Sequence, residues 1–353
     1  MSRIIVNGIF YNSNLTGIER FAHEVTGYLD MIAKPGEVIL VLPADVQRPV
    51  PQFENILVKK LPRTPGKKQF NNVKLNTYLL SHKGVCIDFT NHIPWVGKSV
   101  VFLHDVYSRV CPNDFKTAGD IQIRDKACKM YRRIAKKAKI VCTVSHYSKK
   151  QIEEYYSVPT ERIKVIYNGV EHIWNTLSDE GIFVRYPQLR TQEFFFCLGS
   201  LSVRKNLKWI VNHARLYPNE FFVISGMPLS SVIPSELEDM RKLQNILCVG
   251  YITDGEVKAL MQACKAFIFP SYFEGFGIPP LEALACGVPA IVSKASCLPE
   301  IYEDCVYYID PHESHVDLNI LLQGSVASPD KLFSRYSYRK AAEQLYELAI
   351  QIK

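Results

Sequence analysis

Apolar residues come in short runs separated by longer stretches with helical spacing. Ile4–Val6, Val38–Leu42, Gly84–Phe89, Val100–Leu103, Lys139–Val144 and Lys164–Tyr167 are rich in Val, Ile and Phe and read as buried strands. Between them, Ile18–Leu29, Ile123–Lys136 and Lys149–Tyr156 read as helices, the last preceded by the capping candidates Ser145 and Ser148. Glu171–Thr191 breaks this rhythm. It then restarts with strands at Glu193–Leu198, Phe221–Ser225, Ile246–Val249, Ala266–Phe269 and Ala290–Val292. Helices are expected near Asn206–Tyr217, Asp254–Cys264 and Pro280–Ala285, and Tyr336–Ile352 is spaced as a final amphipathic helix. Strand–helix alternation means a mostly parallel sheet covered on both faces. The expected fold is therefore α/β, two tandem doubly wound, Rossmann-like domains facing across a cleft: 1–175, a linker over 176–190, and 191–353. The helix over about 336–353 could pack back on the first domain. Ligands of such units bind beyond the carboxyl ends of the strands.

Composition excludes several classes. With 353 residues and 47% hydrophobic and 22% charged content, the chain has the make-up of an ordinary globular protein. No apolar run approaches the ~20 residues of a bilayer span, and the start reads as a strand, so a cytoplasmic location is expected. The ten cysteines include no C-x-x-C pair and read as reduced core thiols. His312-Glu313-Ser314-His315 has a metal-like spacing but lies in a polar stretch with no partner cluster, so no metal site is expected.

Charge is unevenly divided. Up to Val170 there are 26 Lys/Arg and 14 Asp/Glu, a balance of +12; from Glu171 the counts are 16 and 21, a balance of −5. The densest stretch is Arg124–Lys139, and a second cluster is Lys59, Lys60, Arg63, Lys67 and Lys68. Two readings are open: solvated surface, or peripheral contact with an anionic membrane on its cytoplasmic side. No nucleic-acid motif accompanies these charges, so nucleic acid is not an expected partner.

Two segments carry chemistry. In Phe269–Pro289 a strand runs into a loop with Gly275 and Gly277, and Pro279-Pro280 opens a helix. Glycines admit a ligand close to the backbone, and the helix start points its N–H groups and positive dipole at that spot. Glu274 and Glu282 flank the turn and suit sugar hydroxyls as hydrogen-bond acceptors. The second segment, Gly199–Leu207, places Arg204 and Lys205 in a loop feeding a helix, an arrangement that suits a diphosphate.

These residues resemble retaining glycosyltransferases of family 4, which have the two-domain GT-B fold. Glu274 to Glu282 is similar to that family's E-x(7)-E signature, and Gly199–Leu207 to its phosphate-binding segment. Thr16-Gly17-Ile18-Glu19-Arg20-Phe21 resembles its glycine loop, with one glycine where many members have two. His104-Asp105, Thr143-Val144-Ser145 and Val165–Val170 are also typical. The resemblance implies that Arg204 and Lys205 neutralise a nucleotide diphosphate leaving group. It implies that Glu282 holds the ribose, Glu274 the donor sugar, and that His104 sits beside the sugar ring. Backbone N–H groups near Phe276-Gly277-Ile278 would meet the sugar or its phosphate, and Gly17 and Gly199 would approach the donor through their backbones.

The same resemblance implies retention of configuration and no required cofactor or metal, the two cations standing in for one. Bacterial mannosyl- and rhamnosyltransferases of surface-polysaccharide assembly are similar. The implied donor is GDP-mannose, with dTDP-rhamnose or a UDP-sugar as alternatives, and the implied acceptor is a lipid-linked glycan. A dinucleotide-dependent oxidoreductase is disfavoured because Asn7-Gly8-Ile9-Phe10 is not G-x-G-x-x-G. A catalytically silent scaffold of the same fold remains an alternative. Transfer is expected to persist in excess chelator; loss restored by added magnesium or manganese would contradict the cation clamp.

Overall fold

A computed structural model describes residues 3–62, 66–200, 202–226, 240 and 242–352. Arg63 and Leu201 lie outside the described residues. The chain divides into two units, Met1–Gly169 with Tyr336–Lys353, and Val170–Arg335.

The first unit is built on seven parallel strands: β1 (Arg3–Asn7), β2 (Val38–Pro43), β3 (Leu57–Leu61), β4 (Gly84–Asp88), β5 (Lys98–Phe102), β6 (Ile140–Thr143) and β7 (Ile163–Val165). Their order is β3-β2-β1-β4-β5-β6-β7, so the winding reverses between β1 and β4. Alternate residues serve opposite faces. Ile4 and Val6 of β1 pack with Phe21, Val25 and Leu29 of α1 (Gly17–Ile32), while Ile5 packs with Phe70, Leu75 and Leu79, the last two on α2 (Leu75–Ser81). Farther along the sheet, Val101 and Val141 pack with Tyr131, Ile134 and Ala135 of α3 (Ala118–Lys137). Ser145 caps α4 (His146–Tyr156), its side chain accepting from the Ser148 N–H at 3.1 Å.

The last helix is set by local chemistry and burial. Ser337 Oγ accepts from the Lys340 N–H at 3.3 Å to start it, and Tyr338, Ala342 and Leu345 are buried against α1.

The second unit holds β8 (Phe195–Leu198), β9 (Phe222–Ser225), β10 (Ile246–Gly250), β11 (Ala266–Phe269), β12 (Ala290–Ser293) and β13 (Tyr307–Ile309). They are parallel in the order β10-β9-β8-β11-β12-β13, so the winding reverses between β8 and β11. Its helices α5 (Leu207–Leu216), α6 (Asp254–Ala263), α7 (Ile278–Ala285) and α8 (Leu298–Tyr302) precede α9 (Tyr338–Gln351), which belongs to the first unit.

The expected division of the chain is revised. The boundary falls after Gly169 rather than at 175, and 176–190 is structured rather than a linker. Its Ile182, Phe183 and Leu189 are buried, the Asp179 N–H donates to the Gly255 carbonyl at 3.0 Å, and Lys258 Nζ of α6 donates to the Ile173 and Thr176 carbonyls at 2.9 and 2.8 Å. Apolar burial decides where the polar composition suggested a spacer. Lys59 and Lys60 lie on β3, an exposed edge strand whose lysines discourage pairing with another chain. The last helix belongs to the first unit, its buried side chains packed with those of α1.

Candidate functional site

The chemistry of the second unit gathers where its strand order reverses, between the carboxyl ends of β8 and β11. After β8, a short turn over Val203–Lys205 leads into α5 through Asn206, which holds a left-handed φ of +56°. The Asn206 side chain explains why that conformation holds: its amide donates to the Pro270 carbonyl at 3.0 Å and to the Pro311 carbonyl at 2.7 Å. The β8 and β11 loops are further joined by the Tyr272 N–H donating to the Arg204 carbonyl at 3.1 Å.

Lys205 Nζ lies 2.7 Å from Glu274 Oε1 and 4.5 Å from the centre of the Phe269 ring, with both side chains largely enclosed. Burial lowers the Lys205 pKa, against the pull of Glu274, and Arg204 pushes it down further. Burial alone would raise the Glu274 pKa, but the Lys205 and Arg204 cations hold it below the ordinary carboxylate value. Gly199, at φ +154°, makes room for this pair: a Cβ there would stand 3.2 Å from Lys205 Cε. Gly199, Ser200, Lys205, Ser225 and Ser271 line a small cleft above the strand ends.

The Glu274 loop is buttressed from behind. Ser296 Oγ accepts from the Glu274 N–H at 3.0 Å, and the Cys297 thiol donates to the Glu274 carbonyl at 3.2 Å. Gly277 caps α7 at φ +83°, where a Cβ would meet Leu298 Cδ2 at 2.8 Å. The buried Tyr302 hydroxyl donates to the Gly277 carbonyl and accepts from the Leu281 N–H at 3.0 Å. Phe276 and Ile278 are buried beside this turn.

Glu282 sits on α7, and its Oε1 is 2.6 Å from His172 Nε2, both side chains buried. Lys205 and Glu274 are thus brought together, while Glu282 is engaged by His172. Sequence reasoning missed His172, Tyr302, Ser296 and Cys297. No spacing signal marks them, because each acts on the site loops from another element of the fold.

In the first unit, His104 follows β5 and is buried. Its Nε2 lies 2.9 Å from the Phe89 carbonyl, an acceptor only, so Nε2 carries the proton. Burial lowers its pKa, more than that carbonyl and the Asp105 charge raise it, so the ring is neutral near pH 7. Gly17 is exposed as the first residue of α1, where the Thr16 N–H donates to Glu19 Oε2 at 3.3 Å. His312 and His315 belong to a polar loop pinned to α5 by Trp209, whose Nε1 donates to the Asp310 and Glu313 carbonyls at 3.0 and 2.8 Å.

Two parallel-sheet units, one with a buried Lys–Glu pair and a glycine-opened helix at its winding reversal, define a glycosyltransferase of the GT-B class. A model described as "Glycosyltransferase Family 4" matches residues 16–173, and one described as "Glycosyl transferases group 1" matches residues 180–329. Together they take in most of both units, and the chain belongs to the family 4 glycosyltransferases. It is 25% identical over 324 residues to the O-antigen chain mannosyltransferase B of Escherichia coli, covering 85% of this chain and 84% of that one. It is 28% identical over 244 residues to the serotype-specific mannosyltransferase WbdA of Escherichia coli, covering 63% of this chain and 28% of that longer protein. Sucrose-phosphate synthase from Thermosynechococcus elongatus shares the fold, with a TM-score of 0.73 over 99% of each chain at 14% identity.

Tyr302 should be structural for the site. Tyr302→Phe removes the hydroxyl that bonds both the Gly277 carbonyl and the Leu281 N–H, and we expect it to lower unfolding free energy by about 1 kcal/mol in urea titration. A variant as stable as the parent would show that the turn holds without this hydroxyl.

Proposed function

We propose that this glycosyltransferase moves a mannosyl group from GDP-mannose to a hydroxyl of a growing surface glycan, with retention of anomeric configuration. The observation that carries the reading is the buried Lys205–Glu274 pair at the β8/β11 reversal. The mannosyltransferase names of relatives matched over much of this chain favour mannose over rhamnose or a UDP-linked sugar. O-antigen assembly, named for one of those relatives, favours a glycan acceptor on a lipid carrier.

In this reading the diphosphate lies against Arg204 and Lys205. An ammonium has three donors, so Lys205 can keep its Glu274 bond and still direct two N–H groups at phosphate oxygens. Their charge is preorganised for the negative charge that grows on the departing diphosphate, which needs no metal ion or cofactor. Glu274 accepts from hydroxyls of the transferring sugar and Glu282 from the ribose. His172 donates to Glu282 and so fixes the orientation of that carboxylate. Backbone N–H groups at Phe276–Ile278 and at Gly199 complete this unit's contacts with the donor. The departing phosphate oxygen takes the proton of the attacking hydroxyl on the same face, which gives retention without a strong protein base.

We also propose peripheral contact with anionic membrane through α3. Lys126, Lys129, Arg132 and Lys136 are exposed at i, i+3, i+6 and i+10, opposite the buried Tyr131, Ile134 and Ala135. Ile121 and Ile123 are exposed at its start, and the Arg133 guanidinium lies 5.6 Å from the ring of the exposed Trp95. Among the described residues no helix is long and apolar enough to cross a membrane.

Glu274→Gln and Lys205→Ala should each lose at least about two orders of magnitude in turnover with folded circular dichroism spectra, several kcal/mol being at stake in a dry site. Near-parental turnover by either would remove these residues from the reaction. A thermal-shift panel of GDP-, dTDP- and UDP-sugars reads the donor, and stabilisation by a dTDP- or UDP-sugar alone would replace mannose.

For the membrane face, sedimentation with phosphatidylglycerol vesicles should weaken steeply as salt rises, at ~1 kcal/mol per surface cation and a Debye length of ~8 Å in physiological salt. Changing Lys126, Lys129, Arg132 and Lys136 together to Gln should abolish it. Equal binding to neutral vesicles, or none to anionic ones, would return α3 to a solvated surface.

A further inference from the structure

The first unit has its own winding reversal, between β1 and β4, and a buried polar cluster stands at the carboxyl ends of those two strands. Asp88, the last residue of β4, is fully buried. Its Oδ1 accepts from the Thr90 N–H at 2.8 Å, the Thr90 hydroxyl at 3.0 Å and the His92 N–H at 3.4 Å. Its Oδ2 accepts from Asn7 Nδ2, the last residue of β1, at 2.5 Å and from His92 Nδ1 at 3.3 Å. Asn7 Oδ1 in turn accepts from the Ile9 N–H at 3.3 Å. Asn91 adopts a left-handed φ of +53° inside this turn, a conformation that asparagine tolerates.

Asp88 fixes the state of His92. Burial alone would raise the Asp88 pKa, but the bonds from His92, Asn7 and Thr90 outweigh it and hold the carboxylate ionised. An ionised carboxylate only accepts, so His92 Nδ1 must carry a proton. In the neutral ring Nε2 is then a bare acceptor. His92 is 8% exposed, and its Nε2 is buried with no hydrogen-bond partner among the described residues. A buried acceptor held in one orientation and left unpaired is costly unless something donates to it.

The charge at the two reversals differs in kind. The second unit buries a cation beside its carboxylate, whereas every group bonded to Asp88 is an N–H or O–H of Asn7, Thr90 or His92. A fixed negative charge there repels phosphate and favours a neutral donor, and the hydroxyl of a sugar is one. We propose that His92, oriented by Asp88, recognises a hydroxyl of the glycan acceptor, Nε2 accepting its hydrogen bond. This rests on the reading that the acceptor is a glycan. His92 binds and does not transfer a proton, which remains with the departing phosphate.

The test uses the full chain and two variants that separate the nitrogens. In His92→Asn the side-chain amide can still donate to Asp88 but nothing reaches the Nε2 position; in His92→Gln a carbonyl can reach it. Binding of octyl α-mannoside, with octyl glucoside, galactoside and rhamnoside beside it, is followed by saturation-transfer NMR without any nucleotide. His92→Asn should weaken binding of the preferred glycoside about tenfold, the scale of one hydrogen bond, and His92→Gln should recover most of it. GDP-mannose binding by calorimetry should be unchanged in both.

Parental binding by His92→Asn, or weaker binding by His92→Gln than by His92→Asn, would make the cluster purely structural and overturn the proposal. A parent chain that binds no octyl glycoside while binding a nucleotide sugar would overturn it too. Glycoside binding without nucleotide-sugar binding would overturn the donor reading and leave this one standing. Should His92→Asn fail to fold, the His92 Nε2 nitrogen shift of the parent, assigned by its loss in His92→Gln, must move on adding glycoside; a fixed shift would overturn the proposal.

Discussion

The second unit is organised around one demand, that a lysine and a glutamate be held 2.7 Å apart out of water. Removing both charges from solvent costs several kcal/mol per ion, and their attraction repays it only when geometry is fixed. The fixing is done by neighbours. Gly199 leaves space for the Lys205 stem, Asn206 ties its loop to the one carrying Glu274, and Ser296 and Cys297 anchor the Glu274 backbone. These partners come from the loops after β8, β11 and β12, so the pair depends on the parallel register of those strands. In turn, that register lets one cation and one carboxylate meet at a winding reversal.

Such a pair adds little to stability compared with apolar packing of the same volume. Its retention therefore points to chemistry. A carboxylate kept ionised beside a lysine that still has donors to spare is prepared for a ligand that brings both phosphate oxygens and hydroxyls. The same economy explains the Tyr302 hydroxyl, which serves a carbonyl at one end of the Gly277 turn and an N–H at the other. A rigid turn fixes where α7 begins, and of its first three residues Ile278 alone carries an N–H, the next two being prolines.

How much could be read in advance follows from what kind of information each feature carries. Strands such as Ile4–Val6 and Ala266–Phe269 announce themselves because parallel strands buried on both faces are continuous apolar runs. Glu274, Glu282, Arg204 and Lys205 were legible because glycine, proline and charge are written next to them in the chain. β3 was not, since an edge strand with exposed Leu57, Lys59 and Lys60 lacks the apolar run. Residues 176–190 read as a spacer because Ile182, Phe183 and Leu189 are few among polar neighbours, although all three are buried. His172 is 110 positions from Glu282, and no local pattern carries a contact of that separation.

The two reversals show how one backbone plan is given two chemistries. In each unit, residues at the ends of two adjacent strands or in the loops that follow them meet where the helices part. In the second unit the loop after β8 supplies cations, and the site takes positive character from Arg204, Lys205 and the start of α7. In the first, β1 ends in a neutral Asn7 and β4 in Asp88, and the bonds converging on that carboxylate come from neutral amides, a hydroxyl and an imidazole. A diphosphate is stabilised by the former and repelled by the latter.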